Sequence, residues 1–173
     1  VTALGLFVST GTAGAVGSSS DALDTSVDTL SLSVGSGGAF VSESAGLSTG
    51  NVSVLVNRVN SSGVAQAQTA VGTSGAGVQS SGGGAVVVQV SSGDLTVNDG
   101  STASGINANG NLRLSAAGAV SVQAGITSAG SVSVVATAGD LLELAIAAER
   151  ENPPASEWLF AKSLDASKSG MVH

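Results

Sequence analysis

Few side chains in this sequence could do chemistry. His173 is the only histidine and the last residue, so it reads as an end residue rather than an acid, base or metal ligand. Serines are plentiful, but a serine nucleophile needs a base within reach, and no spacing here supplies one. Two carboxylates held roughly 5 to 9.5 Å apart can hydrolyse a glycosidic bond. Asp94 and Asp99 are the nearest such pair, with Glu43 farther off. The aromatic side chains that would stack a sugar are scattered as Phe7, Phe40, Trp158 and Phe160. The stretch VNDGSTASG, Val97 to Gly105, has oxygen ligands and glycines for an isolated calcium ion. It lacks the repeated phrase of calcium-loaded β-rolls, and an Asx turn at Asn98 or Asp99 accounts for the same residues. Calcium is therefore the only cofactor left open, and the expectation is no cofactor, no catalytic residue and no enzyme. Asn51-Val-Ser53 and Asn60-Ser-Ser62 fit the glycosylation acceptor pattern, which is too short to carry weight.

The elements that would position any site must be built from small residues. The 173 residues include 25 glycines but one tryptophan, three phenylalanines and no tyrosine. A core normally draws much of its buried area from large side chains, so this one must be thin layers of valine, leucine and alanine. A hydrophobic content of 42% with only 10% charged residues opposes disorder. Five cationic side chains and a net charge of -7 exclude a broad basic footprint, hence a nucleic-acid partner, and disfavour an acidic membrane surface. There is no cysteine for a disulfide or thiolate site. No apolar run approaches the roughly 18 residues of a transmembrane helix. The start at Val1 has no signal-peptide pattern, which reads as a processed or excised segment.

One phrase recurs: a glycine, then apolar residues at the second and fourth positions after it. It occurs at Gly50–Val54, Gly84–Val88, Gly93–Val97, Gly110–Leu114, Gly118–Val122 and Gly130–Val134. Alternation of this kind predicts short strands with one face inward. The phrases pair as Gly84 with Gly93, Gly110 with Gly118 and Gly130 with Gly139, and successive pairs start 26 and then 20 residues apart. That spacing predicts an all-β parallel β-helix, a solenoid with irregular rungs of about 20 to 26 residues. Hairpin meanders are the runner-up. Gly50, Gly84, Gly93, Gly110, Gly118, Gly130 and Gly139 would make the turns. Val86, Val88, Leu95, Val97, Leu112, Leu114, Val120, Val122, Val132 and Val134 would stack in core columns. Two phases are open, one placing Leu95 over Leu112 and the other Val86 over Leu112.

Upstream, Thr29–Val34 and Gly38–Ser44 read as a looser rung. Residues 57–83 read as an inserted loop, although Val64–Val71 alternates like a strand. At Gly139 the repeat breaks, because it would turn Glu143 inward unpaired. Asp140 and Glu143 instead resemble a capping box, which predicts a short helix over Leu141–Glu151 covering the open end before Pro153 and Pro154. The organisation expected is a repeat domain over 1–147, clearest at 84–139, and a cap or tail over 148–173 with an apolar docking patch at Trp158, Leu159 and Phe160.

The glycine-led phrases from about Thr29 to Leu141 resemble the β-helical repeats of filamentous haemagglutinin-like exoproteins and autotransporter passengers of bacteria. The likeness lies in repeat style, and the rungs vary in length more than the tidiest members' do. It implies export to the cell surface or outside the cell, a rod-like shape and an adhesive or matrix role. The function expected is a structural rod or filament-forming module that assembles with itself or with adjacent modules of a larger protein. The competing expectation is an adhesin that binds host or matrix glycans through residues 57–84. A polysaccharide-active enzyme is the remotest reading.

Overall fold

The computed structural model describes residues 1–72, 77–99 and 104–143, which form sixteen β-strands and, among the described residues, no helix. In chain order they are β1 (Thr2–Ser9), β2 (Ala15–Val16), β3 (Leu23–Val34), β4 (Gly38–Glu43), β5 (Leu47–Thr49), β6 (Val52–Val59), β7 (Ala65–Gly72) and β8 (Val78–Ser80). There follow β9 (Val86–Val90), β10 (Leu95–Val97), β11 (Ser104–Ala108), β12 (Leu112–Ala116), β13 (Val120–Val122), β14 (Gly125–Ser128), β15 (Val132–Ala136) and β16 (Leu141–Glu143).

Fourteen strands belong to one sheet in which every pairing is parallel, and its main path runs β15-β12-β9-β4-β3-β5-β10-β13-β16. The chain reaches this order by winding. It leaves β9 on one arm for β10 on the other, passes through β11, and returns to lay β12 beside β9. Twenty residues bring it from Leu112 to its partner Val132, and twenty-one from Val120 to Leu141. The nine strands of the path curl through 302° into a near-closed barrel, open only between β15 and β16.

This overturns the open, rod-like parallel β-helix and the family resemblance built on it. The physical cause is β3. This twelve-residue strand pairs with β4 through Leu23–Thr25, with β5 through Thr29 and Leu30, and with β8 through Leu32–Val34. One bent strand thus joins walls that would otherwise stay separate, and the sheet closes on itself. The expected capping helix is overturned too. Leu141–Glu143 is strand β16, with Leu141 in register with Val120; the rest of the expected helix lies outside the described residues. The 148–173 tail also lies outside them.

The interior is apolar and filled. Leu30, Val86, Val88, Leu95, Ile106, Leu114 and Val120 are fully buried and belong to one cluster. Each such burial contributes about 1.5 to 3 kcal/mol. Exposed or half-buried polar side chains such as Gln89, Thr96, Arg113 and Ser121 alternate with them. Parallel sheets are usually covered on both faces; here the outer face meets water, because the narrow closed interior already buries the apolar one.

The expected column residues fall on two arms. Val86, Leu112 and Val132 align, as do Val88, Leu114 and Val134. On the other arm Leu95 aligns with Val120 and Leu141, and Val97 with Val122. Leu95 is not in register with Leu112.

The corners explain two of the glycines. Gly93 adopts φ +86, a left-handed turn that a side chain resists. One circuit later, Gly118 lies under the Asp94 side chain, whose Oδ1 accepts the Ala119 N–H at 2.7 Å. A methyl group at Gly118 would collide with that oxygen and crowd the Gly93 carbonyl at 2.8 Å. The other arm repeats the device, with Asn111 Oδ1 accepting the Ser131 N–H at 3.0 Å above Gly130.

Gly118→Ala should therefore lower stability by about 2 kcal/mol or more through overpacking, and Asp94→Ala by about 1 kcal/mol through the lost hydrogen bond. Because both changes disrupt the same contact, the double variant should lose less than the sum of the two. Urea unfolding of the three variants measures this, and strict additivity would show that the corner is not a coupled unit.

Candidate functional site

Among the described residues, a polar constellation inside the barrel surrounds Glu43. In β4 the inward positions are Ala39, Val41 and Glu43, so period two itself turns this carboxylate into the core, where it is fully buried. Opposite it, β3 stops pairing with β4 at Thr25 and begins pairing with β5 at Thr29. The Val27 N–H lies in that gap. Glu43 Oε2 accepts it at 3.0 Å and accepts the Thr25 hydroxyl at 2.7 Å, while Oε1 accepts the Ala45 N–H at 3.0 Å. A buried carboxylate with three donors is a satisfied group. It holds the bend in β3 and leaves no oxygen free to act on a substrate.

The other sequence-derived candidates do not converge. Asp94 and Asp99 flank β10, and five residues of extended chain span about 16 Å, beyond the reach of a glycosidase pair. Asp94 Oδ1 is already engaged by Ala119. Part of the candidate calcium loop, residues 100–103, lies outside the described residues. Among the described residues no group of three or more acidic, histidine or cysteine side chains could hold a metal ion. His173, Trp158, Leu159 and Phe160 lie outside the described residues as well.

The described part of residues 57–84 is largely strand, and nothing in it supports a glycan-binding loop. β6 and β7 form an antiparallel hairpin from Val52 to Gly72, and β8 belongs to the barrel sheet, between β3 and β11. The hairpin turn is self-contained. Asn60 Oδ1 accepts the N–H groups of Ser62 and Val64, each at 3.0 Å, and Gly63 takes φ +76. This asparagine, matched above to a glycosylation pattern, spends its side-chain oxygen on the turn.

Two depressions mark the outer surface. One, of about 270 Å³, lies beside Val1, Asp24 and Ser42. The other, of about 490 Å³, lies over Gly46, Gly93 and Thr96 with Asp28 and Asp94 at its edge. Both are open to solvent, and serine, threonine and aspartate side chains contribute to their walls.

Exposed apolar side chains flank the opening of the barrel. Within one column, Leu112 is 2% exposed and its neighbour Val132 is 45% exposed. In the other, Val120 is 0% and Leu141 38% exposed. Val135 and Leu142 are exposed on the opposite face of the same two strands. Among the described residues, β15 and β16 each pair on one side only, with β12 and β13. Asp140 occupies the corner position that Asp94 holds two strands earlier, with no further circuit beyond it among the described residues. Sequence reasoning missed this seam because the repeat was expected to end in a helix there. The sequence matches no protein-family model, no curated protein and no solved structure. No helix among the described residues is long and apolar enough to cross a membrane.

Replacing Glu43 with Gln should cost about 2 kcal/mol, since its amide must turn an N–H against the Val27 or Ala45 N–H and leave a buried donor unpaired. Thr49 gives the opposite case. Its hydroxyl is fully buried without a partner, so Thr49→Val should raise stability by about 1 kcal/mol. Chemical denaturation midpoints test both signs.

Proposed function

We propose that this chain is a non-catalytic scaffold domain: a packed β-barrel whose open seam, between β15 and β16, seats a further segment of polypeptide. The step in exposure within single columns, from 2% at Leu112 to 45% at Val132, carries the reading. Unpaired strand edges bordered by exposed apolar side chains accept additional strands or segments. Among the described residues the interior is packed with apolar side chains, and the buried Glu43 carboxylate is engaged by three donors. The near-closed barrel and the inward engagement of its polar groups argue against the rod, filament and glycan-loop readings. Few cationic side chains and no clustered ones weigh against nucleic acid as the partner.

Hydrogen exchange on the full chain tests the scaffold reading. The amides of β15 and β16 should exchange slowly, within about tenfold of those in β12 and β13, because a seated segment shields the edge. Exchange as fast as in a frayed terminus would mean that nothing is seated there, and the reading would fail.

A further inference from the structure

The scaffold reading leaves the occupant of the seam unnamed, and the inference that follows rests on that reading. We propose that the seam is filled by residues 144–173 of this same chain, with Trp158, Leu159 and Phe160 as the apolar contact.

Continuity is the first argument. The segment begins where β16 ends, at Glu143, so it is tethered to the seam at high effective concentration. Length is the second. Residues 144–173 outnumber the twenty that carry the chain from Leu112 to Val132, enough to pass once more along the open edge. Composition is the third. Residues 1–143 contain no tryptophan, and their only phenylalanines are Phe7 and Phe40. The segment brings the only tryptophan and a phenylalanine within three consecutive residues. A Trp-Leu-Phe run left in water forgoes a large burial gain, and the seam offers Val132 and Leu141, in register with the buried Leu112 and Val120, as its counterpart.

Charge does not oppose the fit. Residues 144–173 carry three cationic and four acidic side chains, close to balance, against two cationic and eight acidic ones in residues 1–143, with Asp140 at the seam itself. Asp140 also matches Asp94 in its corner position, where the earlier carboxylate accepts a backbone N–H of the following circuit. A segment laid beside β16 would supply that donor.

Trp158 is the sole tryptophan, so its fluorescence in the full chain reads the contact directly. Trp158 should emit as a shielded indole and resist acrylamide. Leu141→Asp, a change at an exposed position of the open column, should shift the emission to the red and raise quenching several-fold while the β signal in circular dichroism stays constant. Trp158→Ala should in turn speed exchange at the β16 amides several-fold. A Trp158 that is fully quenchable in the unmodified chain, or indifferent to Leu141→Asp, overturns the proposal. If the β15 and β16 amides are nevertheless slow, another segment occupies the seam and the scaffold reading stands. Protection that grows with protein concentration assigns the seam to a second copy and also overturns the proposal. Fast amides together with a free Trp158 defeat both readings.

Discussion

The barrel depends on how β3 turns its corner. A strand that pairs first with β4 and then with β5 must release its ladder between them, and the Val27 N–H is the donor left over. No water reaches that point. Glu43 supplies the missing acceptor from the end of β4, and its other oxygen ties down Ala45 at the start of the next corner. One carboxylate thereby fixes both chains where the two arms meet. A buried charge is usually costly, and here three donors at 3.0 Å or closer offset the desolvation. Once β3 is bent, β4 and β5 are set on different arms, and every later circuit follows the template they provide.

The corners propagate this template. Each circuit offers the next one both a column of apolar side chains and a backbone ladder, and at Asp94 and Asn111 it adds a side-chain acceptor. The glycine of the following circuit is small because that acceptor lies over it. At these corners chemistry and packing are thus the same residues, and the Asp94 and Asn111 side-chain oxygens are consumed by the architecture. The hairpin β6-β7 leaves the winding after β5 and returns before β8 without disturbing it, since Leu47 still finds Leu95 in register.

Much of this was legible from the sequence. The six glycine-led phrases announce strands, because alternating small apolar residues have no other way to bury one face, and their spacing announces a winding chain. Closure was not legible. It rests on β3 extending back to Leu23, where Asp24, Thr25 and Asp28 interrupt the apolar alternation and hide the strand. The helix expected after Gly139 failed for a related reason. A capping-box pattern at Asp140 and Glu143 is a local signal, and it lost to the register that places Leu141 beside Val120. Glu43 carried a usable signal that went unread: two steps beyond Val41 in an alternating run, it had to face inward. The seam is tertiary, since Val132 and Leu141 look no different in sequence from their buried neighbours Leu112 and Val120.

The winding also governs how the molecule comes into being. In the barrel sheet, the shortest span between partners runs from Leu23 to Val41, and most are longer. Only the β6-β7 hairpin closes through a tight local turn, at Asn60–Val64. Loop closure must precede the contacts that reward it, and topologies dominated by distant partners fold slowly. The hairpin can form within microseconds, while the barrel waits for sequence yet to arrive. On the ribosome, each strand emerges with its apolar face uncovered until the following circuit has been made, so the nascent chain carries an exposed edge throughout synthesis.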